Sequence, residues 1–94
     1  MSDKAVHIQV FGQVQGVGFR YFTRQRAMAL GLCGRASNLA DGSVEVLAAG
    51  EAADVDLLIQ WLQQGPPSAT VERIVVSQLD ALPRGEHGDE FRAY

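Results

Sequence analysis

The 94-residue chain is 47% apolar with three prolines, enough to bury one modest core and to make a single domain over residues 1–94 the expectation. Its first apolar run, Val6 to Phe11, is broken by His7 and Gln9, so it is neither a secretory leader nor a bilayer span, and a cytoplasmic protein is expected; Cys33, the lone cysteine, excludes an intramolecular disulfide and a multi-thiolate metal site within one chain. The net charge of -3 is unevenly spread, with five basic residues and no acid from Lys4 to Ala40, and ten acids against three arginines from Asp41 to Tyr94, a split that suits an anionic ligand for the first part or simply charged helix faces.

Val6, Ile8 and Val10 alternate with His7, Gln9 and Phe11, the period of a half-buried strand. A glycine-spaced stretch from Gly12 to Gly18 follows. Arg20 to Leu30 has no glycine or proline and is rich in helix formers, and Gly31 stops it. Its core face is expected at Thr23, Ala27 and Leu30, with Phe19 or Phe22 closing one end. Gly34 to Asn38 and Ser43 to Ala49 read as two strands joined around Asp41-Gly42, a pair suited to a hairpin turn. Val55, Leu58, Ile59 and Leu62 repeat at three and four residues, so Glu51 to Gln63 is an amphipathic helix bordered by Trp61 and ended by Gly65-Pro66-Pro67. The alternation of Val71 to Leu79 slips near Arg73, which marks a bulge or an edge strand. A polar loop with Pro83, Gly85 and Gly88 precedes a last short strand, Phe91 to Tyr94.

The order strand, helix, strand, strand, helix, strand is two βαβ-like units in series. The expected class is therefore α+β: a ferredoxin-like βαββαβ open sandwich, with two helices on one face of a mainly antiparallel sheet.

The stretch Gly12-Gln13-Val14-Gln15-Gly16-Val17-Gly18-Phe19-Arg20 lies between a strand and a helix start. Successive N–H groups of such a loop converge on one anion, and the helix dipole adds to the attraction. Gly16 and Gly18 permit unusual dihedrals, and the planar guanidinium of Arg20 is able to grip two phosphate oxygens. The absence of a Gly-Lys-Ser/Thr ending and of a third spaced glycine excludes a nucleotide P-loop and a dinucleotide fingerprint. Glycines between a strand and a helix also serve turns alone, so the bare pattern is ambiguous. Asn38, before the Asp41-Gly42 turn, reads by itself as a turn residue whose amide satisfies local backbone.

Together the two stretches resemble the acylphosphatases. The family's first motif, Gly-x-Val-Gln-Gly-Val-x-Phe-Arg, is met at Gly12, Val14, Gln15, Gly16, Val17, Phe19 and Arg20, and its second at Gly34, Asn38, Asp41, Gly42, Val44 and Glu45. The likeness extends to the closing Phe91-Arg92-Ala93-Tyr94. It implies a hydrolase in which the loop from Gln15 through Gly16, Val17 and Gly18 to Phe19 cradles phosphate, Arg20 binds it and Asn38 orients the attacking water. The implied ligand is a small acyl phosphate, with inorganic phosphate as product and with neither metal nor cofactor. Arg35 and Ala36 depart from the family's usual aromatic and valine after the glycine, a packing variation that leaves the catalytic positions intact.

The chemistry suits the residues. A carboxylate leaving group, whose conjugate acid has a pKa of roughly 4, needs no general acid. His7 and His87 lie outside both motifs and read as strand and loop residues. A rival from another class is an RNA-binding module, since Gly16 to Phe22 faintly echoes an RNA-recognition motif in the same βαββαβ order. The echo spans a loop and helix start instead of a central strand, and the acidic balance weakens phosphate contacts, so no nucleic-acid or membrane partner is expected. A non-catalytic domain of the same fold is the other rival; the short chain argues for a stand-alone protein, and its modest size for a monomer.

Overall fold

The computed structural model describes residues 3–82 and 90–94. The chain runs β1 (Asp3–Gln13), α1 (Phe19–Ala29), β2 (Cys33–Asn38), β3 (Val44–Glu51), α2 (Ala52–Leu62), β4 (Thr70–Leu79) and β5 (Phe91–Ala93). The strands form one sheet in the order β4-β1-β3-β2-β5. All neighbours are antiparallel except β2 and β5. This is the ferredoxin-like arrangement expected from the element order. The loop expected around Pro83, Gly85 and Gly88, with His87, lies outside the described residues.

β1 is the central strand that the alternation requires. Val6, Ile8 and Val10 have no exposed surface, and they meet Val44, Val46 and Ala48 of β3 on the same face. α1 packs over β2 and β5, and α2 over β1 and β3. Thr23 and Ala27 of α1 and Val55, Leu58 and Leu62 of α2 close the core. Burying each of Val55, Leu58 and Leu62 contributes roughly 1.5–3 kcal/mol, so the α2 stripe is the main helical contribution to holding the sheet's apolar face shut. β1 extends beyond Val6 to Phe11 because it pairs on both sides, with Asp3 opposite Glu51 and Gln13 opposite Thr70; ladder hydrogen bonds carry its polar ends.

Phe19 is the aromatic that closes the end of α1. It is buried, with its ring 6.2 Å from that of Trp61, whereas Phe22 is 41% exposed and packs edge-on against Tyr21. Leu30 is half-buried against the core. The slip near Arg73 is a bulge on an edge strand: Phe11 pairs with Arg73 but Gly12 with Val71, leaving Glu72 as the extra residue. Arg73 then lies over the Phe11 ring, 3.9 Å from its centre. Ser43 falls in the turn and not in β3, because its hydroxyl and N–H are drawn to Asp41.

Ala36 is fully buried under the helices, while Arg35 on the open face bonds to Glu45 at 3.4 Å. The other oxygen of Glu45 lies 2.9 Å from His7 Nε2. The unusual pair in the second motif is thus absorbed by packing on one face and by an ion pair on the other.

Candidate active site

Two valines fix the loop that joins β1 to α1. Val14 is buried, and Val17 packs against the core while its carbonyl accepts the Ser68 hydroxyl at 2.7 Å. Gly16 and Gly18 turn the chain between and after them with φ of 77° and 78°, the left-handed region that disfavours side chains. Gly18 is the N-cap of α1, so no side-chain cap engages the helix start, and no acidic residue stands in the first turn. The first helical bond runs from Phe22 N–H to Gly18 C=O at 3.0 Å. The N–H groups from Gly16 to Tyr21 find no backbone acceptor among the described residues. A run of donors without backbone acceptors among the described residues therefore stands at the positive end of a helix dipole.

Arg20 sits in this first turn, half-buried, and makes no hydrogen bond or ion pair with another described residue. With Val14, Gly16, Gly18, Phe19, Tyr21 and Ala93 it lines a cavity of about 220 Å³. A cation at a helix N-terminus costs a few tenths to about 1 kcal/mol, and an anion held between the guanidinium and the N–H groups turns that repulsion into attraction. Of the loop residues, Gly16, Gly18 and Phe19 touch the cavity; the Phe19 ring points into the core, and Val17 supports the loop from behind.

Gln15 has a different role from its neighbours. Its side-chain amide donates to the carbonyls of Leu39 at 2.8 Å and Ser43 at 2.9 Å, both in the β2–β3 turn. The loop is thereby stapled to the hairpin one residue beyond Asn38. No pattern of spacing announced this; the one signal is a glutamine between Val14 and Gly16 in a loop whose neighbouring side chains are apolar or absent.

Asn38 is the last residue of β2, opposite Val44 and exposed. Its side chain bonds to no described residue. The turn beyond it is closed by Leu39 N–H to Ser43 C=O at 2.9 Å and Gly42 N–H to Leu39 C=O at 3.2 Å. Asp41 accepts the Ser43 hydroxyl, the Ser43 N–H at 2.9 Å and the Gln9 amide at 3.3 Å. Hydrogen bonding from the Ser43 hydroxyl, and then from its N–H, holds the Asp41 carboxyl below the usual aspartate range. The turn residue is thus Asp41, and the Asn38 amide has no partner among the described residues. The far wall is β5, whose Ala93 borders the Arg20 cavity and pairs with Ala36, two residues before Asn38, while Tyr94 N–H bonds to Ala36 C=O at 2.9 Å. The C-terminal ends of β2 and β5 and the N-terminus of α1 therefore meet at one edge. His7 lies on the open face with Glu45, away from this cavity.

A family model described as acylphosphatase matches residues 6–92. The acylphosphatase of Aeromonas salmonicida (strain A449) is 54% identical over 85 residues, covering 90% of this chain and 94% of that protein. The acylphosphatase of Xanthomonas euvesicatoria pv. vesicatoria (strain 85-10) is 61% identical over 71 residues, 76% of this chain and 81% of its own. Among solved structures, an acylphosphatase from Coxiella burnetii superimposes with a TM-score of 0.87 at 35% identity, covering 98% of this chain and 93% of that one. No helix of the described residues is long and apolar enough to cross a membrane. The family model over nearly the whole chain, together with a relative 54% identical over 90% of it, places this protein in the acylphosphatase family of acid-anhydride hydrolases.

Proposed function

We propose that the chain hydrolyses small acyl phosphates with the N–H groups of residues 15–19 and the Arg20 guanidinium holding the phosphoryl group, and with the Asn38 amide orienting the water that attacks phosphorus. The observation that carries this reading is Arg20 itself, a half-buried cation without a partner among the described residues at a donor-rich helix start. As the P–O bond to the acyl oxygen breaks, the carboxylate departs without needing a proton. Charge on the equatorial oxygens is met by the guanidinium and the loop donors, and the rate comes from positioning and charge neutralisation. The proton lost by water passes to the phosphate, so no side-chain base is required. The charge that a metal would otherwise supply comes from Arg20, and neither metal nor cofactor takes part. The chain works as one domain over residues 1–94, as a cytoplasmic monomer, with no nucleic-acid partner.

Release of inorganic phosphate from benzoyl phosphate in the presence of a chelator tests this. Turnover is expected to persist with chelator present; a requirement for added metal overturns the mechanism. A shift of RNA at low salt, with no hydrolysis, would favour the nucleic-acid reading instead.

A further inference from the structure

The Arg20 cavity adjoins a larger groove. On α1, Tyr21, Arg24 and Met28 follow at three and four residues and form one stripe. That stripe faces β5 and its flanks, from Glu90 to Tyr94, across a groove of about 550 Å³. Tyr21 and Ala93 line both this groove and the Arg20 cavity, so the two adjoin. Among the described residues, seven large hydrophobic side chains remain exposed, and three of them, Tyr21, Met28 and Tyr94, are gathered here. Such clustering beside a reacting centre is what a carbon chain attached to the phosphate would use.

The groove also carries a cation held in place. Arg24 Nε donates to the Phe91 carbonyl at 3.1 Å, which fixes the guanidinium plane, and its terminal nitrogens bond to no described residue. The other charges of the groove answer one another: Arg92 Nε bonds to Glu90 at 3.3 Å, and Arg92 Nη1 meets the Tyr94 hydroxyl at 3.5 Å. Among the described residues, Arg24 is thus the charge left over. It follows Arg20 by four residues, about 6 Å along the helix axis, so an anion at Arg24 is one helical turn from the phosphate.

We infer that this groove seats the acyl portion of the substrate and that Arg24 selects acyl chains ending in a second carboxylate, a dicarboxylic monoacyl phosphate. The inference rests on the phosphate being held at Arg20. Tyr21 and Met28 flank the carbon chain, and the free N–H groups of Arg24 meet the distal carboxylate.

The experiment compares kcat/KM for succinyl phosphate, its neutral counterpart butyryl phosphate, and acetyl phosphate, which is too short to reach Arg24. Succinyl phosphate is expected to exceed butyryl phosphate by about five- to tenfold, the scale of one partly exposed charged contact. Arg24→Met should bring that ratio near one. Because Arg24 also bonds to Phe91, a second position guards against misfolding: exposed Met28 changed to Lys should raise the ratio, and to Glu should lower it. Equal kcat/KM for succinyl and butyryl phosphates, or a ratio indifferent to charge at position 28, overturns the groove assignment while leaving the phosphate site standing. Failure to hydrolyse acetyl phosphate as well overturns the phosphate site, and the groove with it.

Discussion

The two connections that meet at the active edge are built on opposite terms. The loop from Val14 to Gly18 and the helix start after it leave donors unmatched: no capping side chain, no acid in the first helical turn, and N–H groups from Gly16 to Tyr21 without backbone acceptors among the described residues. The β2–β3 turn matches nearly everything it has. Asp41 is engaged by Ser43 and Gln9, Leu39 and Ser43 close on each other, and their carbonyls take the Gln15 amide. An unmatched loop has electrostatic work left to do on a ligand, whereas a self-matched turn is rigid and useful for holding one side chain still. The proposed mechanism accordingly uses the first connection for binding and the second for placement.

Arg20→Ala should break the first half of that comparison most severely. Loss of at least about 3 kcal/mol of transition-state stabilisation, more than a hundredfold in kcat/KM, is expected, with weaker inhibition by inorganic phosphate. Thermal stability should hold or rise slightly, since Arg20 bonds to no described residue and opposes the helix dipole. Normal hydrolysis by the variant would sink the assignment. Asn38→Ala should lower kcat by about ten- to a hundredfold, the cost of misplacing a reactant, while phosphate still inhibits competitively. Collapse of phosphate affinity would move Asn38 from placement to binding and erase the division.

Gln15 joins the two halves, and its removal gives an intermediate effect. Gln15→Ala leaves the Leu39 and Ser43 carbonyls without their shared donor in a part-buried setting, a loss of about 1–2 kcal/mol of stability by denaturant titration. The main-chain donors of the loop are retained. Turnover should therefore fall by less than in Asn38→Ala, with phosphate inhibition little changed. A fall in stability with unaltered kcat would show that the staple holds the turn without positioning Asn38.

Most of the framework was legible because it rests on local pattern. Alternation at Val6, Ile8 and Val10 and helical spacing at Val55, Leu58 and Leu62 report burial directly, and the slip at Arg73 reports the bulge. The position of Arg20 in the first turn of α1 was legible too, since its place after a glycine loop is a local fact. What escaped depends on contacts distant in sequence. Asn38 looked like a turn residue because its neighbours could not reveal that Asp41 already satisfies the turn. Gln15 bonds across 24 and 28 residues, a relation that no window on the chain contains. The choice between Phe19 and Phe22 was settled by Trp61, brought up by the second helix. The groove beside Arg24 exists only once β5 has paired with β2.

The smallest expected effect concerns the turn's own charge. Hydrogen bonds from Ser43 favour the ionised form of Asp41, so the folded chain gives up that proton more readily than the unfolded chain does. A depressed carboxyl stabilises the fold in full above the unfolded aspartate value of about 3.9, and the contribution is lost as pH falls through the lower folded value. Asp41→Asn should thus have a slightly lower Tm than the parent at pH 7, and the gap should close as the pH drops below about 4. Since Asp41 is exposed, added salt should narrow the gap but not abolish it, because the Ser43 hydrogen bonds are short-ranged. A gap constant from pH 7 to pH 2 would mean that the carboxylate's charge adds nothing to the turn, and that shape alone makes it rigid enough to carry Asn38.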